Sequence, residues 1–322
     1  MLDYNSMNYI VFDLEWNQSP RGKEGENHKI PFEIIEIGAV KLDENLNKVD
    51  DFSVVIRPKI YRELHYKIQE ITQVNMKELS RGRKFTDACD DFLKWCGDSF
   101  TFCTWGPLDT YELQRNMDYY HMPLPKSPVF YYDLQKIFSL IFEDGKSRRS
   151  LESAVDFLHL PIDVDFHRAD DDAYYTSLIM QKMNIADIKK YYSVDYYQVP
   201  RKREDELTLQ FDTYSKFVSM SFPSKGDVMD DKVVTSTVCY KCNKRIKKKI
   251  RWFSDNSRIY YCLAICPEHG FLKGKIRMKK TNDDSYFAVK TIKLTNDEGA
   301  TAIKKRQLDI RKKRQDNRKS EF

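Results

Sequence analysis

Asp13 and Glu15 stand two residues apart at the end of an apolar run, Tyr9-Ile-Val-Phe-Asp-Leu-Glu15. In a strand, alternate residues share a face, so the two carboxylates point the same way. Held side by side, they repel each other and are costly to desolvate. A divalent cation, ligated by carboxylate oxygens, removes that cost. The competing reading is an ordinary strand end running into solvent. Asp109 opens a helical pattern after Thr104-Trp-Gly-Pro-Leu108, either as a helix cap or as a further ligand. The next group is His167-Arg-Ala-Asp170-Asp171-Asp172-Ala173. Three acids suit a helix start, and an imidazole exchanges protons near neutral pH. Helical geometry from His167 favours Asp170 or Asp171 as the acid on its face.

A different chemistry lies in the last third of the chain. Cys239-x-x-Cys242, 23 residues, then Cys266-x-x-His269 has zinc-ribbon spacing. We take Cys239, Cys242, Cys266 and His269 as ligands of one Zn²⁺, with Cys262 the alternative to Cys266. Four ligands leave no open position, so this zinc is structural, a staple for a unit of about 60 residues. Cys89, Cys96 and Cys103 fall in helix or strand patterns and are expected to be buried. Around the ligands run Lys241, Lys244, Arg245, Lys247, Lys248, Lys249 and Arg251, and the tail adds Lys304 to Arg306 and Arg311 to Arg314. Basic residues beside aromatics suit a nucleic-acid backbone and its bases, so Lys247, Lys248, Lys249 and Arg251 are candidate substrate contacts.

Elements must bring these groups together. Strands are expected at 9–15, 32–42, 48–57 and 99–105. Helical patterns cover 85–97 and about 109–120, 133–142, 150–160 and 168–184. Strands come first, then strands and helices alternate, so residues 1–190 form an α/β domain with a mixed sheet. Residues 191–230 read as a connector with a helix near 203–220. Residues 231–295 read as a smaller β-rich zinc-ribbon domain that binds nucleic acid, and 296–322 as a basic helix or tail.

The 322 residues are 41% hydrophobic and 13% aromatic, which excludes a disordered chain. No run of 18 apolar residues exists, so no membrane span is expected. No basic segment precedes the first apolar run, so no signal peptide is read there. Seven cysteines, an odd number, argue against a disulfide scaffold and for the reducing cytoplasm. The net charge of +5 hides an asymmetry: residues 1–200 sum to −9 and residues 201–322 to +14. One part is suited to hold cations and the other to meet polyanions.

The acidic motifs, taken in order, resemble the DEDD exonucleases, in the histidine-bearing branch called DEDDh or DnaQ-like. The matches are Asp-x-Glu at Asp13-Leu14-Glu15, an Asp opening a helix at Asp109, and His-x-Ala-x-x-Asp-Ala from His167 to Ala173. The resemblance covers roughly residues 8–185. The runs FEIIEIGAVKLD and WCGDSFTFCTWG are similar to the KapD-like and histone-mRNA-exonuclease-like subgroup. The resemblance implies an RNase H-like mixed sheet flanked by helices and 3′–5′ release of 5′-mononucleotides. It selects Asp172 over Asp170 and Asp171. Two Mg²⁺ or Mn²⁺ ions held by Asp13, Glu15, Asp109 and Asp172 meet the needs of phosphodiester hydrolysis, with His167 as general base. In such enzymes the residue between the two acids tends to meet the terminal base, which suggests Leu14 as a wedge and Trp16 as a stacking ring. The expected partner is single-stranded nucleic acid, RNA favoured, with no membrane. A DNA exonuclease is the first alternative and a non-enzymatic zinc-ribbon binding protein the second.

Overall fold

The apolar run that carries Asp13 and Glu15 becomes strand β1 (Asn8–Gln18) in the middle of a sheet. The computed structural model describes residues 7–320 apart from Gln73. These fall into two units, dividing between Gln198 and Val199.

In the first unit, β1 is followed by β2 (Phe32–Leu42), β3 (Lys48–Val55), and the short helices α1 (Tyr66–Thr72) and α2 (Met76–Ser80). Then come α3 (Phe85–Cys96), β4 (Phe100–Thr104), α4 (Asp109–Tyr119), β5 (Phe130–Asp133) and α5 (Leu134–Phe142). The unit ends with α6 (Leu151–Phe157), α7 (Ala169–Gln181), α8 (Ile185–Ile188) and β6 (Ser193–Val194). The sheet order is β3-β2-β1-β4-β5-β6. β1 pairs antiparallel with β2 and parallel with β4, so the sheet is mixed, as expected.

Each face of β1 feeds its own core. Ile10, Phe12 and Leu14 pack with Ala88, Phe92, Leu113 and Met117 of α3 and α4. Tyr9 and Val11 pack with Ile137, Val155, Tyr175 and Ile179 of α5, α6 and α7. Alternation then carries Asp13 and Glu15 onto the α7 face, opposite Leu14. The three predicted buried cysteines, Cys89, Cys96 and Cys103, are buried.

The second unit holds β7 (Leu207–Gln210), β8 (Tyr214–Val218), α9 (Lys225–Asp230), β9 (Lys247–Asn256), β10 (Ile259–Cys266), β11 (Gly270–Lys280), β12 (Tyr286–Leu294) and α10 (Asp297–Ser320). Its sheet runs β7-β8-β12-β11-β10-β9. The 191–230 connector is therefore a correction. β6 closes the first sheet by pairing with β5, and β7 and β8 pair as a hairpin at the edge of the second. The helix expected near 203–220 is absent for a legible reason. Leu207, Leu209 and Phe211 alternate with polar residues, a period-two signal that favours strand. The basic tail is helical, as α10.

Candidate active site

The acids converge from three elements. β1 supplies Asp13 and Glu15, and the first turn of α7 supplies Asp172. One carboxylate oxygen from each lies within 4.8 Å of the others. Asp109, the first residue of α4, is 5% exposed. Its carboxylate accepts a hydrogen bond from the backbone N–H of Leu14, between the two β1 acids. Asp170 and Asp171 lie elsewhere: Asp170 is exposed and accepts a hydrogen bond from Ser53 Oγ at 3.0 Å.

Electrostatics tie the four acids into one group. Burial, then the fields of Asp109, Glu15 and Asp172, holds the Asp13 carboxyl well above the ordinary range. Burial, then Asp172, Glu36 and Asp109, pushes Glu15 up to about 8. Burial pushes Asp109 up to about 7 and Asp172 up to about 6, each against a backbone hydrogen bond that lowers it. Hard oxygen donors with surplus negative charge are a donor set that fits a divalent cation.

Three local devices place Asp172. First, α7 crosses β2 at Gly38, the residue paired with Asp13. A Cβ on Gly38 would lie 2.1 Å from the Ala169 carbonyl carbon and the Asp170 nitrogen, so only glycine admits the helix start there. Second, Glu36, directly opposite Glu15, binds Arg168: its Oε2 accepts from Nε at 3.1 Å, and Nη2 lies 2.6 Å from Oε1. Nη2 also reaches Glu78 of α2 at 3.0 Å. Third, His167 adopts φ 72°, an uncommon conformation for a residue with a side chain. Its N–H donates to Asp172 Oδ1 at 3.2 Å, and its ring is exposed beside the acids. The Glu36–Arg168 pair was not among the sequence assignments. Its signal is a charged residue at the centre of an otherwise apolar run, Ile34-Ile-Glu36-Ile-Gly38.

The proposed base contacts fare unequally. Leu14 is 3% exposed inside the α3 core, so it presents no surface to a base; period two places it away from Asp13 and Glu15. Trp16 is half-buried, its ring 5.8 Å from that of Phe32, just past a bulge that leaves Ile35 of β2 unpaired. Ile35 packs on Val74 and Leu79 instead. Lys247, Lys249 and Arg251 are exposed, whereas Lys248 turns inward and donates to the Thr235 carbonyl at 2.9 Å.

The second unit gathers Cys239, Cys242, Cys266 and His269 within 4.8 Å of one another. Cys242 Sγ and Cys266 Sγ are 3.7 Å apart, and His269 Nδ1 is 3.6 Å from Cys239 Sγ and from Cys266 Sγ. Tetrahedral zinc bonds of about 2.3 Å to sulfur and about 2.05 Å to nitrogen require sulfur–sulfur gaps of about 3.8 Å and sulfur–nitrogen gaps of about 3.6 Å. These three gaps match the spacing a tetrahedral zinc ion requires. Cys262 lies outside the group, its thiol against Gly274 in the sheet.

Comparison with known proteins places the first unit. Residues 10–180 match the family model described as Exonuclease. The probable 3′-5′ exonuclease KapD of Bacillus subtilis (strain 168) is 30% identical over 122 residues, covering 36% of this chain and 56% of that protein. The match thus spans about half the length of that relative. Among solved structures, the nuclease domain of 3′hExo, a DEDDh family member bound to rAMP, is 19% identical, with a TM-score of 0.48 over 55% of this chain and 90% of that one. E. coli Exonuclease I in complex with a dA16 oligonucleotide is 10% identical, with a TM-score of 0.48 over 80% of this chain and 55% of that one.

Proposed function

Because the chain belongs to the exonuclease family, we propose that it is a metal-dependent 3′–5′ exonuclease that removes 5′-mononucleotides from single-stranded nucleic acid, RNA preferred. The observation that carries this reading is the convergence of Asp13, Glu15 and Asp172, with Asp109 buried beside Leu14 and His167 at the rim. The direction of attack follows the relative named a probable 3′-5′ exonuclease. The RNA preference follows the resemblance of residues 32–43 and 95–106 to the histone-mRNA-exonuclease-like subgroup. A cytoplasmic setting suits seven cysteines with no disulfide among them.

Asp13, Glu15, Asp109 and Asp172 would hold two Mg²⁺ or Mn²⁺ ions. Such ions, when bound, supply Lewis-acid stabilisation of the attacking and leaving oxygens. His167 takes the proton of the attacking water at an imidazole nitrogen, and its exposed ring can return that proton to solvent. Arg168, clamped by Glu36 and Glu78, fixes the turn from which His167 and Asp172 both project. Cys239, Cys242, Cys266 and His269 would hold one structural Zn²⁺. Among the described residues no helix is long and apolar enough to cross a membrane.

The test uses matched RNA and DNA oligomers, labelled at either end, with Mg²⁺ or with chelator. The expected result is Mg²⁺-dependent shortening from the 3′ end, faster on RNA. His167→Ala should lower kcat by about 10²–10⁴-fold while metal binding persists. Shortening that survives chelation, or an unchanged kcat in His167→Ala, would overturn these assignments.

A further inference from the structure

The second sheet has two unlike faces. On one, Leu272, Ile276 and Met278 of β11 are buried with Ala264, Ala288 and Ile292. The other is split. Over β9, β10 and the Phe271 end of β11, α10 lays Ala300 and Ile303 on Ile250, Tyr261, Leu263 and Phe271. Over the rest of β11 and β12, the same face carries Lys273, Lys275 and Arg277 at every second position, with Lys293 paired opposite Lys273. Tyr261 pairs with Lys275 at the border between the two halves.

From the helix side, Arg306 sets its guanidinium 4.5 Å from the centre of the Tyr261 ring. Lys273 Nζ and Lys275 Nζ lie 5.8 and 5.9 Å from the same centre. The ring is buried, so it seats cations and offers nothing for a base to stack on. Asp255 binds Arg306 through two hydrogen bonds of 3.1 and 2.7 Å. Among the described residues, Lys273, Lys275, Arg277 and Lys293 have no ion-pair partner. Burial, then neighbouring cations, lowers both Lys273 and Lys275 from the ordinary lysine value. Crowded like charges destabilise a fold, and here only Asp255, already held by Arg306, partly offsets Lys275.

We infer that the row Lys273, Lys275 and Arg277 with Lys293, bordered by Tyr261 and Arg306, is a track for the phosphate backbone of single-stranded nucleic acid. This deepens the nuclease reading and rests on it. Shape selects a chain over a lipid surface. Successive cations along β11 are about 6.6 Å apart in one line. Beside them stands α10, a helix about 10 Å thick. A flat bilayer meets the helix first, whereas a thin polyanion lies in the step between helix and sheet. The contacts are to phosphate, so they give affinity without base preference.

The test compares the full chain with Lys273→Gln/Lys275→Gln. Binding of single-stranded RNA and DNA oligomers is measured against salt, alongside hydrolysis of a dinucleotide too short to need the track. Each lost phosphate contact flattens the log–log salt slope by about 0.7, so the double variant should lose about 1.4. Dinucleotide hydrolysis and zinc content should stay as in wild type, and the melting temperature should hold or rise as the cation crowding is relieved. Should melting fall, Arg277→Gln/Lys293→Gln reads the same slope from the same row. An unchanged slope overturns the track, as does a variant that loses binding to anionic vesicles but keeps its binding to nucleic acid. If dinucleotide hydrolysis is missing from wild type as well, the nuclease reading fails while the slope still decides the track.

Discussion

Asp13→Asn keeps the shape of its side chain and removes one of four charges that burial forces together. Activity should fall to background, because a proposed metal ligand is lost. Without metal, the variant should melt at a higher temperature than wild type, because the remaining acids ionise against a weaker field. The same crowding sets a pH dependence. Glu15, Asp109 and Asp172 have folded-state values of about 8, 7 and 6, raised from 4.5, 3.8 and 3.8. The folded state therefore favours their protonated forms. The stability this contributes is present in full below about pH 4 and is lost as pH rises through 6 to 8. In chelator, the melting temperature should fall between pH 5 and 8.5, and Mg²⁺ should restore more at pH 8 than at pH 6. At one hundred times its dissociation constant, a bound ion adds about 2.7 kcal/mol. A metal-free melting temperature that rises across this range would contradict the crowded site. The ordered motifs made these acids legible as a set. The Leu14 wedge was drawn from resemblance against the period-two rule, which already placed that side chain among the core residues.

At the scale of elements, the site depends on how closely α7 can approach β2. Gly38→Ala puts a methyl group into backbone, which cannot swing aside as a side chain can. α7 must then lift, carrying Asp172 away from β1. A misplacement of about 1 Å costs about 10²-fold in rate, and the overpacking costs about 1–3 kcal/mol. Steady-state kinetics at a temperature well below melting separates the two: kcat should drop by about 10²-fold in protein that is still folded. Wild-type kcat would show that the helix start has room to spare. The sequence placed β1, β2, β4, α4 and α7 by apolar periodicity, which reports burial directly. It was silent on Gly38, because a glycine inside a strand signals a close approach without naming the partner. It misread 203–220 because that hairpin is short and rich in charge, so its alternation spans only a few apolar positions.

At the scale of the molecule, the first unit ends later than the sequence suggested. Asp195 accepts hydrogen bonds from Thr110 Oγ1 at 3.0 Å and from Gln114 Nε2 at 2.8 Å, both on the helix that begins with Asp109. β6 pairs with β5 just before it. A fragment cut at residue 190 loses this acceptor and leaves two buried polar groups of α4 without it, at about 1–3 kcal/mol each. A fragment ending at Gln198 keeps them. The 1–198 fragment should therefore hydrolyse dinucleotides like the full chain, while 1–190 should melt several degrees lower and lose activity first on warming. Equal melting of the two would mean that Asp195 does not support α4. Long-range ties of this kind leave no local pattern in a sequence, which is why the boundary was not legible.

The origin of the acids also governs when the site comes into being during synthesis. β1 emerges first and can fold back with β2 and β3, its sequence neighbours, but its other edge waits for β4. Asp172 comes from the far end of the unit, so the acid cluster cannot close before α7 has emerged and docked over Gly38. Until then the nascent chain exposes an unpaired strand edge, the kind of surface on which aggregation begins. A ribosome stalled before α7 thus carries three of the four acids and no assembled nuclease. Activity cannot precede α7, a timing imposed by chain connectivity.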